Sequence, residues 1–343
     1  MLKEYAAEAP QPVQCEPFGA SDRGFIGREP VNALTGTLDA RINGIGVSSP
    51  TPSGSAGDEN LRNGNAALPE QAGGWNAKLA LSFRRRSDRT VLAERRHEGP
   101  LIVQKPHYPE GEGVCHAILV HAPGGIAGGD HLSLDLDVGH GSHALVTTPA
   151  ATKWYKSGGR GARQDLAASI GDGAILEWLP QESIVFDSAE AGMVADIRLT
   201  GRAVYAGWEI LCLGRRASGE QFRTGAIRQR MAIRRDDRLL WNESLCLAGG
   251  DRLLASPMAF KGRHVFGGMV VAGGAVSDAL MDACRGVRAD QGEGGVTLCG
   301  EVFSARYLGD SAAAAKDYFE TLRAVLRPWY AGRAAERPRI WTM

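Results

Sequence analysis

Four glycines fall within eight residues in Pro123-Gly124-Gly125-Ile126-Ala127-Gly128-Gly129-Asp130, and such a run can cradle a phosphate on its backbone N–H groups. The nucleotide-binding version needs GxxxxGK[ST], whose lysine meets the phosphate charge. Here Gly129 is followed by Asp130 and His131, and a carboxylate repels phosphate. The dinucleotide pattern GxGxxG is also absent. The segment that follows reads as a strand, not as a helix whose N-terminus could hold pyrophosphate. What remains is a loop that needs positive φ or the close approach of another backbone.

Other chemistry-bearing residues resist assembly into a catalytic site. Glu177 and Glu182 bracket Trp178-Leu179-Pro180-Gln181, a spacing that does not bring an acid and a base together. With Asp130 they are the residues a small-molecule hydrolase would use, which is the enzyme alternative. GxSxG is missing, and no set of nucleophile, base and orienting group can be built. Histidines cluster at 97, 107, 116, 121, 131, 140 and 143. His116 and His121, five apart, fall on opposite faces of a regular strand. His140 and His143 flank a turn and are expected to be exposed. There is no HExxH, and Cys15, Cys115, Cys212, Cys246, Cys284 and Cys299 form no CxxC pair, so no tight metal site is expected. Thr147-Thr148-Pro149-Ala150-Ala151-Thr152-Lys153 offers hydroxyls that either bond to nearby backbone or line a polar site. Arg215 and Glu220 sit in a glycine-containing turn and read as an ion pair that locks a loop.

The elements that must position these residues are mostly strands. Lys78–Phe83 and Leu132–Val138 alternate apolar and polar residues with period two. Glycine and aspartate turns punctuate the chain at 139–141, 171–173 and 236–237. The segments at 138–149 and 170–180 resemble each other, each a strand end, a Gly-x-Gly turn, a second strand and a proline. They fit layered hairpins or a β-solenoid. Helix signals come late: Ser277 as cap for a helix over 279–287, and a second helix from about Ser311 to Trp329. A strand is expected over 297–308 between them. The predicted fold is mainly β, with stacked, β-helix-like layers of strands and two C-terminal α-helices.

The 343 residues carry 39 Lys and Arg against 39 Asp and Glu, a formal charge of zero. That balance argues against a general nucleic-acid binder and against an anionic-membrane binder. No run of apolar residues is long enough to span a bilayer, and the N-terminus shows no secretory pattern. Scattered cysteines in a chain of this size suit the reducing cytoplasm. Residues 1–74 are rich in Ser, Gly, Pro and Asn and lack an apolar period. They are expected to form a disordered extension before a β-rich domain at 75–343.

The motifs occur in an order that resembles the UreD family of urease accessory proteins, called UreH in some bacteria. They are GPLIVQKPHYPEG at 99–111, PGGIAGGD at 123–130, LVTTPAATKWYKS at 145–157, LEWLPQESIVFDSA at 176–189, GWEILCLGRRASGEQF at 207–222 and RPRIW at 337–341. The family pattern has Tyr-Arg-Ser where this chain has Tyr155-Lys156-Ser157, and Pro-Pro where it has Ala122-Pro123; both changes keep charge or packing. The matched positions include Gly124, Gly125, Gly128, Gly129, Lys153, Tyr155, Glu177, Gln181, Glu182 and Arg215. The resemblance implies a β-rich scaffold without enzymatic activity. Such a scaffold binds UreF, recruits the GTPase UreG through it, docks on the urease apoprotein and helps deliver nickel. It implies no tightly bound cofactor, only nickel in transit through a polar passage. Asp130, Thr147, Thr148 and Glu220 match polar family positions and are assigned to that passage.

Overall fold

The computed structural model describes residues 73–342, so the extension expected over 1–74 lies outside the described residues apart from Gly73 and Gly74. In chain order the strands are β1 (Asn76–Arg86), β2 (Arg89–Glu98), β3 (Leu101–Val103), β4 (Cys115–His121), β5 (His131–Val138) and β6 (His143–Thr147). They continue with β7 (Thr152–Trp154), β8 (Ala162–Ile170), β9 (Ile175–Leu179), β10 (Ser183–Val185), β11 (Ala189–Leu199) and β12 (Val204–Leu213). The hairpin β13 (Gly225–Arg235) and β14 (Arg238–Ala248) precedes a single helical turn, α1 (Arg252–Ala255). β15 (Val265–Ala272), α2 (Asp278–Gly286), β16 (Glu293–Cys299), β17 (Val302–Gly309) and α3 (Ala312–Ala331) complete the order.

The resemblance between 138–149 and 170–180 is the stacking repeat itself. His131 on β5 faces Arg163 on β8, and His143 on β6 faces Ile175 on β9, 32 residues on in each case. Both ladders are parallel. The coils β5-β6-β7 and β8-β9-β10 each lay one strand on each sheet and a short third strand at the corner, where β7 pairs with β10. Two sheets result: β14-β13-β11-β8-β5-β1-β2, and a second running β16-β17-β15-β12-β9-β6-β4-β3 with β10 and β7 branching from it.

The described residues pack in three layers. In the first sheet the period-two pattern is clean. Leu132, Leu134, Leu136 and Val138 face inward with Ala77, Leu79, Leu81 and Phe83, while charged residues face out. The second sheet is covered on both faces, so its strands lose the alternation; β6 is buried at every position. Its inner side chains join the core between the sheets, and its outer side chains join a second core under α2 and α3. Ser277 caps α2 by accepting from the Leu280 N–H, and Ser311 caps α3 by accepting from the Ala314 N–H.

Two sequence expectations change. The strand expected over 297–308 is the hairpin of β16 and β17, because the chain reverses at Gly300 with φ of +59°. Among the described residues there are three α-helices: α2 and α3 are the two C-terminal helices expected, and Asp251 caps the extra turn α1 by accepting from the Leu253 N–H.

Candidate functional site

Two buried polar regions lie on the two faces of the second sheet. On its outer face, period two sets His143, Leu145 and Thr147 of β6 beside Ile175, Glu177 and Leu179 of β9, all toward α3. Glu177 is fully buried there. Its carboxylate accepts from His143 Nε2 at 2.7 Å, Arg323 Nε at 2.7 Å, Arg327 Nε at 3.0 Å and the Tyr330 hydroxyl at 3.1 Å. Arg327, itself 0% exposed, also donates to Glu110 at 2.5 Å, and Glu110 lies 2.7 Å from His116 Nε2. Two carboxylates and two guanidinium groups therefore balance inside the protein.

The electrostatics follow from that balance. Burial pushes the Glu177 carboxyl up, but Arg323, His143 and Arg327 together hold it well below its ordinary range. Burial acts the same way on Glu110, where hydrogen bonds from His116 and Arg327 bring it down to about 2. His143 goes the other way. Burial outweighs the pull of Glu177 and keeps its pKa low, so the ring is a neutral donor. The expectation that His143 is exposed is wrong, because its strand is roofed by α3; His140, three residues earlier in the turn, is exposed.

Further along the same face the motif residues hold the C-terminus. Thr147 Oγ1 donates to the Leu179 carbonyl and accepts from Trp341 Nε1 at 2.8 Å. Lys316 donates to Gln181 at 2.6 Å and lies 4.1 Å from the centre of the Trp341 ring. Three sequence motifs far apart in the chain thus meet at one seam between the strand stack and α3.

The glycine-rich loop forms a corner against β7. A Cβ on Gly128 would collide with the Ser157 carbonyl, and one on Gly125 would sit 2.5 Å from the Tyr155 ring. Gly124 and Gly129 take φ of +75° and +93°. Asp130 closes the loop: its two oxygens accept from Trp75 N and Ala127 N, each at 2.8 Å. Glu220 closes a second corner by accepting from Asp187 N and Arg215 N and pairing with the Arg215 guanidinium at 2.6 Å. Arg215 in turn lies over the Phe186 ring, which Tyr155 meets edge-on.

The inner face of the second sheet carries the other region. Tyr205, Leu211 and Leu213 of β12 belong to the core between the sheets, and Glu209 shares their face. It accepts from Trp178 Nε1 at 2.8 Å. A cavity of about 280 Å³ is lined by Glu209, Trp178, Gln164, Thr148, Lys153 and His121, with Gly124 and Gly125 also on its wall. A second cavity of about 180 Å³ is lined by Glu209 again, with Gln229, Glu243 and Arg306. Burial raises the Glu209 carboxyl to about 7, against the Trp178 hydrogen bond.

Of the four residues assigned to a passage, Thr148 lines the cavity. Thr147 lies on the outer face, and Asp130 and Glu220 are engaged in loop corners. Glu177 is enclosed by α3, so the hydrolase alternative loses its central carboxylate; Glu182 is half-buried, and its carbonyl accepts from Thr152 N. Among the described residues, no group of three or more His, Cys, Asp or Glu is placed to hold a metal ion, and no helix is long and apolar enough to cross a membrane. Glu110, Gln164, Glu209, Lys316, Arg323, Arg327 and Tyr330 escaped the sequence reading. The signal for several was present: Lys316, Arg323, Arg327 and Tyr330 recur on the helical period that also carries Phe319, Leu322 and Leu326.

Comparison with known proteins covers the residues just described. The family model described as "UreD urease accessory protein" matches residues 76–342. A urease accessory protein UreD of Azoarcus sp. strain BH72 is 48% identical over 281 residues, covering 82% of this chain and 97% of the relative. That of Methylobacillus flagellatus is 48% identical over 269 residues, 78% of this chain and 94% of the relative. That of Pseudomonas aeruginosa PAO1 is 45% identical over 280 residues, 81% of this chain and 99% of the relative. Every motif of the glycine corner, the Glu177 seam and the C-terminal tryptophan lies inside the matched span, and the chain belongs to the UreD family of urease accessory proteins.

Proposed function

We propose that this chain is a cytoplasmic scaffold for urease maturation that binds UreF, recruits UreG through it, docks on the urease apoprotein and passes nickel through its own interior. Family membership supports the maturation role. The observation that carries the passage is a series of polar side chains on the cavity walls between the two sheets: His121, Gln164, Glu209, Gln229 and Glu243. An interior built only for stability would be apolar here, since unpaired polar groups cost free energy when buried. Glu209 lines both cavities and so stands midway along this series. Two-residue and single-residue contacts suit an ion that must leave again. Thr148 is the family position that belongs to this route, while Asp130 and Glu220 shape corners and Thr147 holds the C-terminal tryptophan on the outer face.

The test is co-purification of the full chain with UreF and urease apoprotein, followed by nickel content and urease activity. The proposal requires capture of both partners and nickel-dependent activation that fails without this chain. Activation of equal extent in its absence would overturn it.

A further inference from the structure

A cavity of about 410 Å³ opens where the segment after β12 meets the loop after β14. Backbone hydrogen bonds tie its walls together: Leu213 N donates to the His264 carbonyl, Gly250 N to that of Phe222, and Gly262 N to that of Leu254. Asp187 accepts from Arg223 N and Thr224 N and so fixes the segment that carries Arg223. Leu213 and Phe222 are buried, whereas Arg216, Arg223 and Arg263 are exposed. The floor of the cavity is therefore apolar and its mouth cationic.

The acidic groups of this corner are already engaged. Glu220 pairs with Arg215, and Asp310 pairs with Arg263 and lies 2.9 Å from His264 Nδ1. Asp251, the carboxylate on the cavity wall, accepts from Leu253 N as the cap of α1. Among the described residues, no carboxylate pairs with the guanidinium of Arg216 or of Arg223. A guanidinium fork matches carboxylate and phosphate alike. A phosphate nest would also use free backbone N–H groups, and those of Gly250 and Gly262 are spent inside the fold. The apolar floor offers a bare oxyanion nothing, but it suits the stem of an acidic side chain or an apolar neighbour. Apolar surface also continues beyond the cavity. The loop that supplies Leu254 to the wall carries Leu253, 43% exposed, and Met258, 93% exposed at its tip. A ligand that uses both surfaces is longer than the cavity, as a peptide segment is.

We infer that this cavity docks an acidic segment of a protein partner, with carboxylates on Arg216 and Arg223 and apolar side chains on the floor and on Met258. The site is separate from the interior between the two sheets and stands whether or not nickel passes there. It also divides the labour within the motif at 207–222: Glu220 locks Arg215, and the adjacent Arg216 is left for the partner.

The experiment follows fluorescence anisotropy of a labelled, N-acetylated hexapeptide of alternating Glu and Leu as the purified full chain is added. The wild type is expected to bind it, and more weakly as NaCl is raised, since exposed ion pairs are screened. The double variant Arg216→Ala/Arg223→Ala is expected to weaken binding at least about tenfold, the scale of one lost charge-assisted hydrogen bond. Met258→Ser is expected to weaken it about fivefold through lost apolar contact. Arg86→Ala/Arg95→Ala, which removes the same charge from β1 and β2, is expected to bind as wild type. So is the wild type when inorganic phosphate is added at the peptide concentration. Both arginines of the site are exposed, so urea midpoints of the variants are expected to match the wild type. A wild type that ignores the peptide, or an Arg216→Ala/Arg223→Ala variant that binds it equally well, would overturn the site. Equal binding of a peptide with Gln in place of Glu would overturn the acidic specificity. Displacement of the peptide by phosphate at matched concentration would make the cavity an oxyanion site and overturn the protein-segment reading.

Discussion

Glu177 and Arg323 lie 146 residues apart in the chain and 2.7 Å apart in the fold. That contact joins a middle strand of the stacked coils to the C-terminal helix. Neither partner is on the surface; both side chains are almost wholly buried. Burying ions is expensive, and apolar residues of similar volume often serve stability better. The pair therefore fixes where α3 sits more than it adds to net stability, and Arg327 extends the same fixing to Glu110.

Replacing Glu177 by Gln keeps the volume and removes the charge that answers two buried guanidinium groups. Breaking one side of a buried pair costs about 3–5 kcal/mol. Glu177→Gln is expected to lower the urea-unfolding free energy by that order. A loss under about 1 kcal/mol would mean that α3 is held by its apolar face alone.

Acid should loosen the same seam. Glu110 and Glu177 are held below their ordinary carboxyl range, Glu110 to about 2, so the unfolded chain binds protons that the folded chain refuses. Their contribution is full above the ordinary value of 4.5 and is lost as pH falls toward the folded values. His143 acts in the same sense at higher pH. Its lowered pKa means that the unfolded chain protonates first below 6.5. Stability measured by urea midpoints is expected to decline from about pH 6.5 and steeply below about pH 4.5. Glu177→Gln is expected to flatten the acid limb. A wild-type profile that stays level down to pH 4 would contradict this.

Much of the architecture was legible because strands facing solvent on one side advertise period two. The alternation at Leu132–Val138 and the repeat between 138–149 and 170–180 both correspond to paired strands of the stack. The second sheet was harder to read, because β6 and β9 are covered on both faces and their polar members look like interruptions of apolar runs. Glu177 was marked through its family motif, but its partners arrive from a helix that sequence alone cannot dock. Lys316, Arg323 and Arg327 fall on the apolar stripe of that helix, a conflict with simple amphipathicity that flags buried charge. Glu209, alone in the apolar run Trp208-Glu209-Ile210-Leu211, carried a similar flag.

The glycine corner should behave as a packing device and not as a ligand loop. In Gly128→Ala the new Cβ meets the Ser157 carbonyl, so the backbone must shift. Asp130→Asn leaves one carbonyl oxygen where two carboxylate oxygens now serve Trp75 N and Ala127 N. The expected loss for Asp130→Asn is about 1–3 kcal/mol, with Gly128→Ala costing more. Chemical denaturation of both variants checks the order. An Asp130→Asn variant as stable as wild type but deficient in urease activation would return Asp130 to the nickel route.

Glu209 should give the opposite pH dependence from the seam. Burial raises its carboxyl from 4.5 to about 7, and the Trp178 N–H offsets only part of that. Between those values the unfolded chain gives up a proton that the folded chain retains. Folding stability is therefore lost as pH rises from about 4.5 to about 7, and the deficit is constant above. Glu209→Gln removes the titration while its amide oxygen can still accept from Trp178. The variant is expected to gain about 1–3 kcal/mol over wild type at pH 8 and nearly nothing at pH 4.5. Urea unfolding of wild type and Glu209→Gln at the two pH values decides the point. An equal difference at both would show that Glu209 keeps an ordinary pKa, and the case for a desolvated carboxylate at the junction of the two cavities would fall.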